Sequence, residues 1–395
     1  MVALAKIQRL TWSRRGACVA LALLAVGLPA TASARTHVGP LTTAHYRSIV
    51  ATLDPAHPGR GREFNHSTRL DEPMTYGGVI SAEARRYHAT GSTDALDRMR
   101  VCGQWLLDNS DINANGVVGY GLPVAFDAFG DGSVNPPNHE YTVTSAAAME
   151  GLLDWLATDP AAPASPIQAT IEGILAPYRG GDGFTPRGLF AYDFFDPDEE
   201  ADVYNVAALM AAQVQRYSSL VADPERTELR GLADASIDGL GGARRTDSRG
   251  NHYWRYSSRG SRPNDFDHAT ATAVAIEDYR RYGGSLGSGF DLARVRGSLG
   301  RFEVRGRWWH MPSMGRWRDL SRNLPAHLGA LGYGLRAISW SSRRDRAWAR
   351  SMAEQVKRYR LGWGSYAGAP GKPRFAFGDM GILMGLAEAL YGPLT

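Results

Sequence analysis

Apolar positions along the chain recur with a helical period, and long alternating strand patterns are missing. Six segments are small, apolar and sparsely charged: Tyr76–Tyr87, Thr142–Leu156, Val203–Tyr217, Phe266–Tyr282, Leu324–Ile338 and Gly378–Tyr391. Between them lie more amphipathic stretches: Thr43–Leu53, Thr93–Asp108, Pro166–Tyr178, Glu225–Ile237, Gly289–Phe302 and Arg343–Arg360. A helix apolar on most faces belongs inside, and one with a charged stripe belongs outside. The chain therefore reads as six outer–inner helix pairs, with inner starts about 55 to 66 residues apart. A period of this length indicates an array.

Two all-α architectures fit: a closed toroid and an open superhelix of the armadillo type. The linkers entering the inner helices are long and rich in Gly, Pro, Asp and aromatic residues, whereas superhelical turns are short. This favours the toroid. Six alternating pairs with buried inner helices resemble the (α/α)6 toroid, an incomplete barrel common among secreted polysaccharide-degrading enzymes. The expectation is one catalytic domain over residues 35–395.

Residues 1–34 read as an export signal. Lys6, Arg9, Arg14 and Arg15 form a basic start, an apolar run spans Ala17 to Leu28, and Ala32-Ser33-Ala34 offers a cleavage pattern. The run is short for a membrane span, which needs roughly 20 residues. Cys18 lacks a lipoprotein context, and the surroundings of Arg14-Arg15 match a twin-arginine signal poorly. A secreted or periplasmic protein, free of the membrane once cleaved, is expected.

Charge changes the picture only after that cut. The full chain has 44 basic and 40 acidic residues, net +4. The leader holds four of the basic ones, so the remainder is neutral and nucleic acid is not expected as a partner. The neutrality is uneven: residues 35–240 carry 14 basic and 28 acidic side chains, and residues 241–395 carry 26 and 12. Two parts that attract each other explain this, as does a basic wall facing a polyanion. Beyond the leader only Cys102 remains, which excludes an intramolecular disulfide and a cysteine metal site. A monomer without a required cofactor is expected.

In a toroid, the long linkers deliver the chain to the N-termini of the inner helices around one cleft, where helix dipoles favour anions. His139, His268, His310 and His327 fall in these linkers or at helix starts. Asp, Asn and Thr also sit there as plain caps; capping does not explain the concentration of His, Tyr, Arg and Trp. The densest stretch, Asn251–His268, offers Tyr253, Trp254 and Tyr256 for stacking on sugar, Arg262 for a carboxylate, Asp265, and His268. Trp309, His327 and Arg374 are further candidates for lining sugar subsites.

Asn138-His139-Glu140-Tyr141 is similar to the Asn-His motif of alginate-lyase-type toroids, with Tyr141, a candidate to contact substrate, where a tryptophan is usual nearby. The resemblance implies that Asn138 neutralises a uronate carboxylate and that His139, with a tyrosine, handles protons. β-Elimination needs both: the proton at C5 leaves and the adjacent carboxylate stabilises the enolate-like anion. The leading expectation is thus a lyase of an acidic, uronate-containing polysaccharide. Asn138 and Arg262 would hold the carboxylate, and His139 or His268 with Tyr256 would move protons.

Glycoside hydrolysis, which uses two carboxyls, is the alternative. Glu140, Asp202, Asp265, Asp267 and Asp379 are candidates, and unsaturated glucuronyl hydrolases use Asp residues at inner-helix starts of the same fold. A uronyl C5-epimerase or a non-catalytic carbohydrate-binding toroid also fits. Finally, Asp111, Asn113 and Asn115 follow the first half of a calcium-loop pattern, with Leu122 where the bidentate Glu should stand. They read as a structural calcium site or as an Asn/Gly-rich turn.

Overall fold

The computed structural model describes residues 43–61, 68–127, 132, 134–193, 201–259, 261, 263–287, 290–338, 342–360 and 376–394. The expected leader, Arg262, Arg374 and residues 196–200 of the stretch Asp196–Asn205 lie outside the described residues, as does the Asp379 side chain.

Twelve α-helices among the described residues follow one another as pairs. They are α1 (Thr43–Val50) and α2 (Pro73–Thr90), α3 (Thr93–Asp108) and α4 (Thr142–Thr158), then α5 (Ala164–Arg179) and α6 (Tyr204–Ser218). The second half has α7 (Glu225–Ala243) and α8 (Phe266–Arg281), α9 (Leu292–Ser298) and α10 (Leu328–Ala337), and α11 (Arg343–Arg360) and α12 (Ala376–Tyr391). The even-numbered helices pack each against the next, and α12 returns against α2. The ring is closed, and the fold is the (α/α)6 toroid. Among the described residues, no helix is long and apolar enough to cross a membrane.

The small residues of the inner helices have a packing reason. A Cβ placed on Gly77 of α2 would fall 2.3 Å from the Ala147 carbonyl oxygen of α4. One on Gly332 of α10 would fall 2.0 Å from the Gly381 oxygen of α12. Backbone meets backbone at these crossings, so only glycine fits. The outer helices instead show one apolar stripe; α3 buries Ala95, Met99, Cys102, Gly103 and Leu106, residues that share a face at helical spacing.

A second closure device is polar. All six inner helices contribute to a buried web of four arginines and four acids. Arg85 of α2 meets Asp154 of α4 at 3.2 Å and Glu388 of α12 at 3.8 Å, while Arg216 of α6 meets Asp154 at 2.7 Å. Arg336 of α10 reaches Glu150 (2.7 Å), Asp278 (3.2 Å) and Glu388 (3.3 Å). Arg281 of α8 pairs with Asp278 at 2.8 Å and Glu388 at 3.4 Å. Burying this many charges is tolerable only because each is paired.

The long linkers run from each outer helix to the inner helix that follows. Three carry short antiparallel hairpins: β1 (Arg60–Gly61) with β2 (Leu70–Asp71), β3 (Arg245–Thr246) with β4 (His252–Tyr253), and β5 (Glu303–Val304) with β6 (Arg307–Trp308). Among the inner-helix starts, two differ most from the sequence expectation. Helix α2 begins at Pro73 rather than Tyr76, because the Glu72 carboxylate accepts the Met74 and Thr75 N–H groups and proline suits the first turn. Helix α10 begins at Leu328 rather than Leu324, because Leu324 and Pro325 are drawn into bridge-like contacts with His310 and Trp309.

Candidate active site

The start of α8 organises the densest group. Asp265 caps the helix from an extended backbone, its Oδ1 accepting the His268 N–H at 3.1 Å and facing His268 Nδ1 at 2.7 Å. Burial raises the pKa of Asp265, but the charge and hydrogen bond of His268 outweigh it and hold the carboxyl below its usual range. An ionised Asp265 requires the proton on Nδ1, so Nε2 is the nitrogen at which His268 exchanges protons. Tyr256 packs its ring edge against His268, centroids 4.7 Å apart.

Two residues on, Asp267 lies between two further histidines. Its Oδ2 is 2.6 Å from His327 Nε2 and 3.5 Å from His310 Nδ1, while Oδ1 is buried without a hydrogen-bond partner among the described residues. Burial opposes ionisation of Asp267, but His327 and His310 overcome it and lower the pKa. Burial likewise opposes charge on His310 and His327; the contacts with Asp267 prevail, and both pKa values are raised. The Phe266 N–H donates to the His310 carbonyl at 2.8 Å, which ties the linker to the start of α8. Asn323, buried, staples the loop beyond by bonding the Met311 N–H and carbonyl.

A cavity of about 880 Å³ opens beside His310, lined also by Ser261, Met314, Arg316, Trp317 and Arg322. Trp309, next in the chain to His310, lies under the Arg307 guanidinium at 4.9 Å, its indole N–H buried without a hydrogen-bond partner among the described residues.

A second group sits at the start of α4. His139 Nε2 engages Asp193 Oδ2. Tyr141 packs edge-on to His139 with centroids 5.2 Å apart, and against Tyr192 at 5.0 Å. Tyr141 is fully buried, so it braces His139 from behind; it was expected to touch substrate, and its burial corrects that. Asn138 has φ of 62°, a left-handed conformation that asparagine tolerates. Its carbonyl accepts the Asn113 side-chain amide at 2.8 Å.

That contact bears on the calcium expectation. Asp111 spends its two oxygens on the backbone N–H groups of Asn115 and Gly116, and Asn113 and Asn115 donate to Glu140 at 3.2 and 3.1 Å. The loop braces the Asn138–Glu140 segment through direct hydrogen bonds, an Asx-type turn. Among the described residues, the group with metal-ligand composition is Asp267, His310 and His327, whose ligand atoms lie within 4.8 Å of one another. The Ala330 N–H points at His327 Nδ1 at 3.5 Å. That places the proton on Nε2, toward Asp267, as in a hydrogen-bonded triad.

Tyr253 lies beneath the Arg301 guanidinium, 3.7 Å from the ring centroid. Tyr253 is half-buried, whereas Trp254 is buried, its N–H given to the Leu240 carbonyl at 2.9 Å, so its ring packs within the protein rather than forming an open sugar platform. Asp193, Arg316, Trp317 and Arg322 were not anticipated. Asp193 lies in the long linker from α5 to α6, and the other three lie in the linker from α9 to α10, where spacing carries no periodic signal.

No family model matches the sequence, and no curated protein matches it. Solved structures do match in shape. Unsaturated glucuronyl hydrolase from Bacillus sp. GL1 superposes with a TM-score of 0.56 at 13% identity, covering 87% of this chain and 96% of that one. Cellobiose 2-epimerase from Bacillus thermoamylovorans B4167 gives 0.56 at 11%, covering 87% and 98%. A reducing-end-xylose releasing exo-oligoxylanase gives 0.52 at 14%, covering 89% and 92%. At such identities the likeness establishes the shared fold: this chain is similar in architecture to sugar-processing toroids.

Proposed function

We propose that the protein is a glycoside hydrolase that releases a terminal sugar from a short uronic-acid-containing oligosaccharide. The observation that carries this reading is Asp267, held ionised between His310 and His327 beside the 880 Å³ cavity. Hydrolysis needs a proton for the leaving oxygen and negative charge for the oxocarbenium-like transition state. His310, whose pKa is raised, supplies the proton; Asp267 and Asp265 supply the negative charge; His268, oriented by Asp265, deprotonates the water. Arg316 and Arg322 line the same cavity and suit a uronate carboxylate, and Trp317 offers a stacking face. Pockets of roughly 300–1,000 Å³ enclose small ligands, which favours an oligosaccharide over an internal stretch of polymer.

β-Elimination, the leading expectation from the sequence, has weaker support. Its motif residue His139 stands in a different group from His268, and the structural neighbours named above are hydrolases and an epimerase. Epimerisation is the second reading, favoured because the proton carriers in both groups are imidazoles held by carboxylates. The protein after export, acting on an acidic glycan, is the setting that the reading assumes. Incubation with uronic-acid-terminated oligosaccharides, with products separated by chromatography, tests it. Release of the terminal sugar is expected; intact chain length with exchange of a ring C–H in deuterated water would favour epimerisation instead.

A further inference from the structure

Nine of the ten methionines lie among the described residues, and eight of these are buried, none more than 8% exposed. Met314 is the exception, at 40%. A thioether is oxidised by peroxides that reach its sulfur, so burial shields eight sulfurs and leaves this one open.

The exposed sulfur stands where its oxidation has consequences. Met314 precedes a short 3₁₀ turn, Gly315–Arg318, from an extended backbone, and its carbonyl accepts the Trp317 N–H at 3.0 Å. That turn carries Arg316 and Trp317, which line the 880 Å³ cavity together with Met314 itself and His310. The side chain is tied in the other direction. Its Sδ lies 2.7 Å from Nη2 of Arg301, whose carbonyl accepts the Ser313 N–H at 2.8 Å and whose guanidinium lies over the Tyr253 ring. Thioether sulfur is a weak hydrogen-bond acceptor, whereas a sulfoxide is polar. Oxidation therefore sets a strong acceptor beside a guanidinium that already touches the sulfur.

We propose that Met314 is a site of reversible oxidation to the sulfoxide by peroxide, and that the sulfoxide weakens the binding of a uronate in the cavity. The step needs no reactant besides the peroxide. A sulfur lone pair attacks one peroxide oxygen, the S–O bond forms as the O–O bond breaks, and the departing hydroxide takes the remaining proton and leaves as water. Sulfur loses two electrons and the peroxide gains them. The new oxygen brings partial negative charge into a wall that Arg316 and Arg322 otherwise make favourable to a carboxylate. The oxidation follows from exposure alone; its effect on the ligand rests on the proposed function.

Limited treatment of the full chain with hydrogen peroxide, followed by peptide mass spectrometry, tests the site. Met314 is expected to gain one oxygen before any buried methionine does. Met311, which lines the same cavity but is 5% exposed, is the internal control. Calorimetric titration with sodium glucuronate then reads the effect without turnover. Binding by the oxidised protein should weaken by about tenfold, roughly one hydrogen bond to a charged group, and methionine sulfoxide reductase should restore it. Circular dichroism establishes that the oxidised protein is folded. Met314→Leu, whatever its own affinity, should show no further change on treatment. Oxidation of Met311 as fast as Met314 would overturn the site. Glucuronate ignored by the untreated protein, affinity unchanged by selective oxidation, or a loss that persists in Met314→Leu would overturn the effect on the ligand. The mass spectrum depends on neither binding nor turnover, so failure of the site and failure of the proposed function are read separately.

Discussion

Asp265 and His268 are joined twice through one oxygen: Asp265 Oδ1 accepts the backbone N–H of His268 and holds its Nδ1. The atom that caps the helix therefore also orients the imidazole. The two roles separate by substitution. Asp265→Asn keeps an oxygen for the cap but removes the charge that fixes the imidazole proton. It should leave the melting temperature nearly unchanged and lower kcat by about 10²-fold, within the range for general acid–base groups. Asp265→Ala should cost about 1 kcal/mol of stability as well. Calorimetry and steady-state kinetics on both variants check this.

His310 and His139 stand in different groups, and the proposed reaction uses only the first. His310→Gln should reduce kcat by about 10²- to 10⁴-fold. His139→Gln should act mainly through KM or stability, since His139 is engaged with Asp193. Equal loss of kcat in both variants would require the two groups to work together.

The buried web makes Arg336 a test of how the ring is closed. Arg336→Met would strand Glu150 and take one of their partners from Asp278 and Glu388, all three of which it contacts at 2.7 to 3.3 Å. Removing one partner of a buried pair costs about 3–5 kcal/mol, so chemical denaturation should show a loss of that order. A loss below about 1 kcal/mol would mean that the apolar and glycine contacts close the ring unaided.

Asp278 should make stability depend on pH. Burial pushes its pKa up, Glu150 and Glu388 add to this, and Arg281 and Arg336 oppose it; the result is about 6, well above the ordinary range of an aspartate. A carboxyl with a raised folded pKa binds its proton more tightly when folded. Its contribution is complete below the unfolded pKa and is lost as pH rises through about 6. Denaturation midpoints should fall between pH 4 and pH 6.5 on this account, and Asp278→Asn should flatten that slope. An unchanged slope would remove Asp278 as the cause.

Much of this fold was legible because inner and outer helices obey different physical rules. Inner stretches are small and apolar because glycines such as Gly77 and Gly332 let backbones touch; outer stretches such as α3 show a single stripe. The ion-pair web was not legible, since Arg85, Asp154 and Glu388 are far apart in sequence and each alone looks like a solvated charge. At the candidate site, His268, Asp265 and His327 stood out at helix starts. Arg316, Trp317 and Arg322 did not, because the loop stapled by Asn323 places them through tertiary hydrogen bonds that no local pattern encodes. Trp254 misled for the opposite reason: an aromatic residue in a linker reads as a sugar platform, and packing consumed it.

The most direct test of the proposed chemistry is mass spectrometry of products formed from a uronic-acid-terminated oligosaccharide in heavy-oxygen water. Hydrolysis predicts two shorter sugars, with one solvent oxygen incorporated in one of them and no double bond gained. Shorter products carrying a new unsaturated end and no solvent oxygen would contradict it and restore β-elimination.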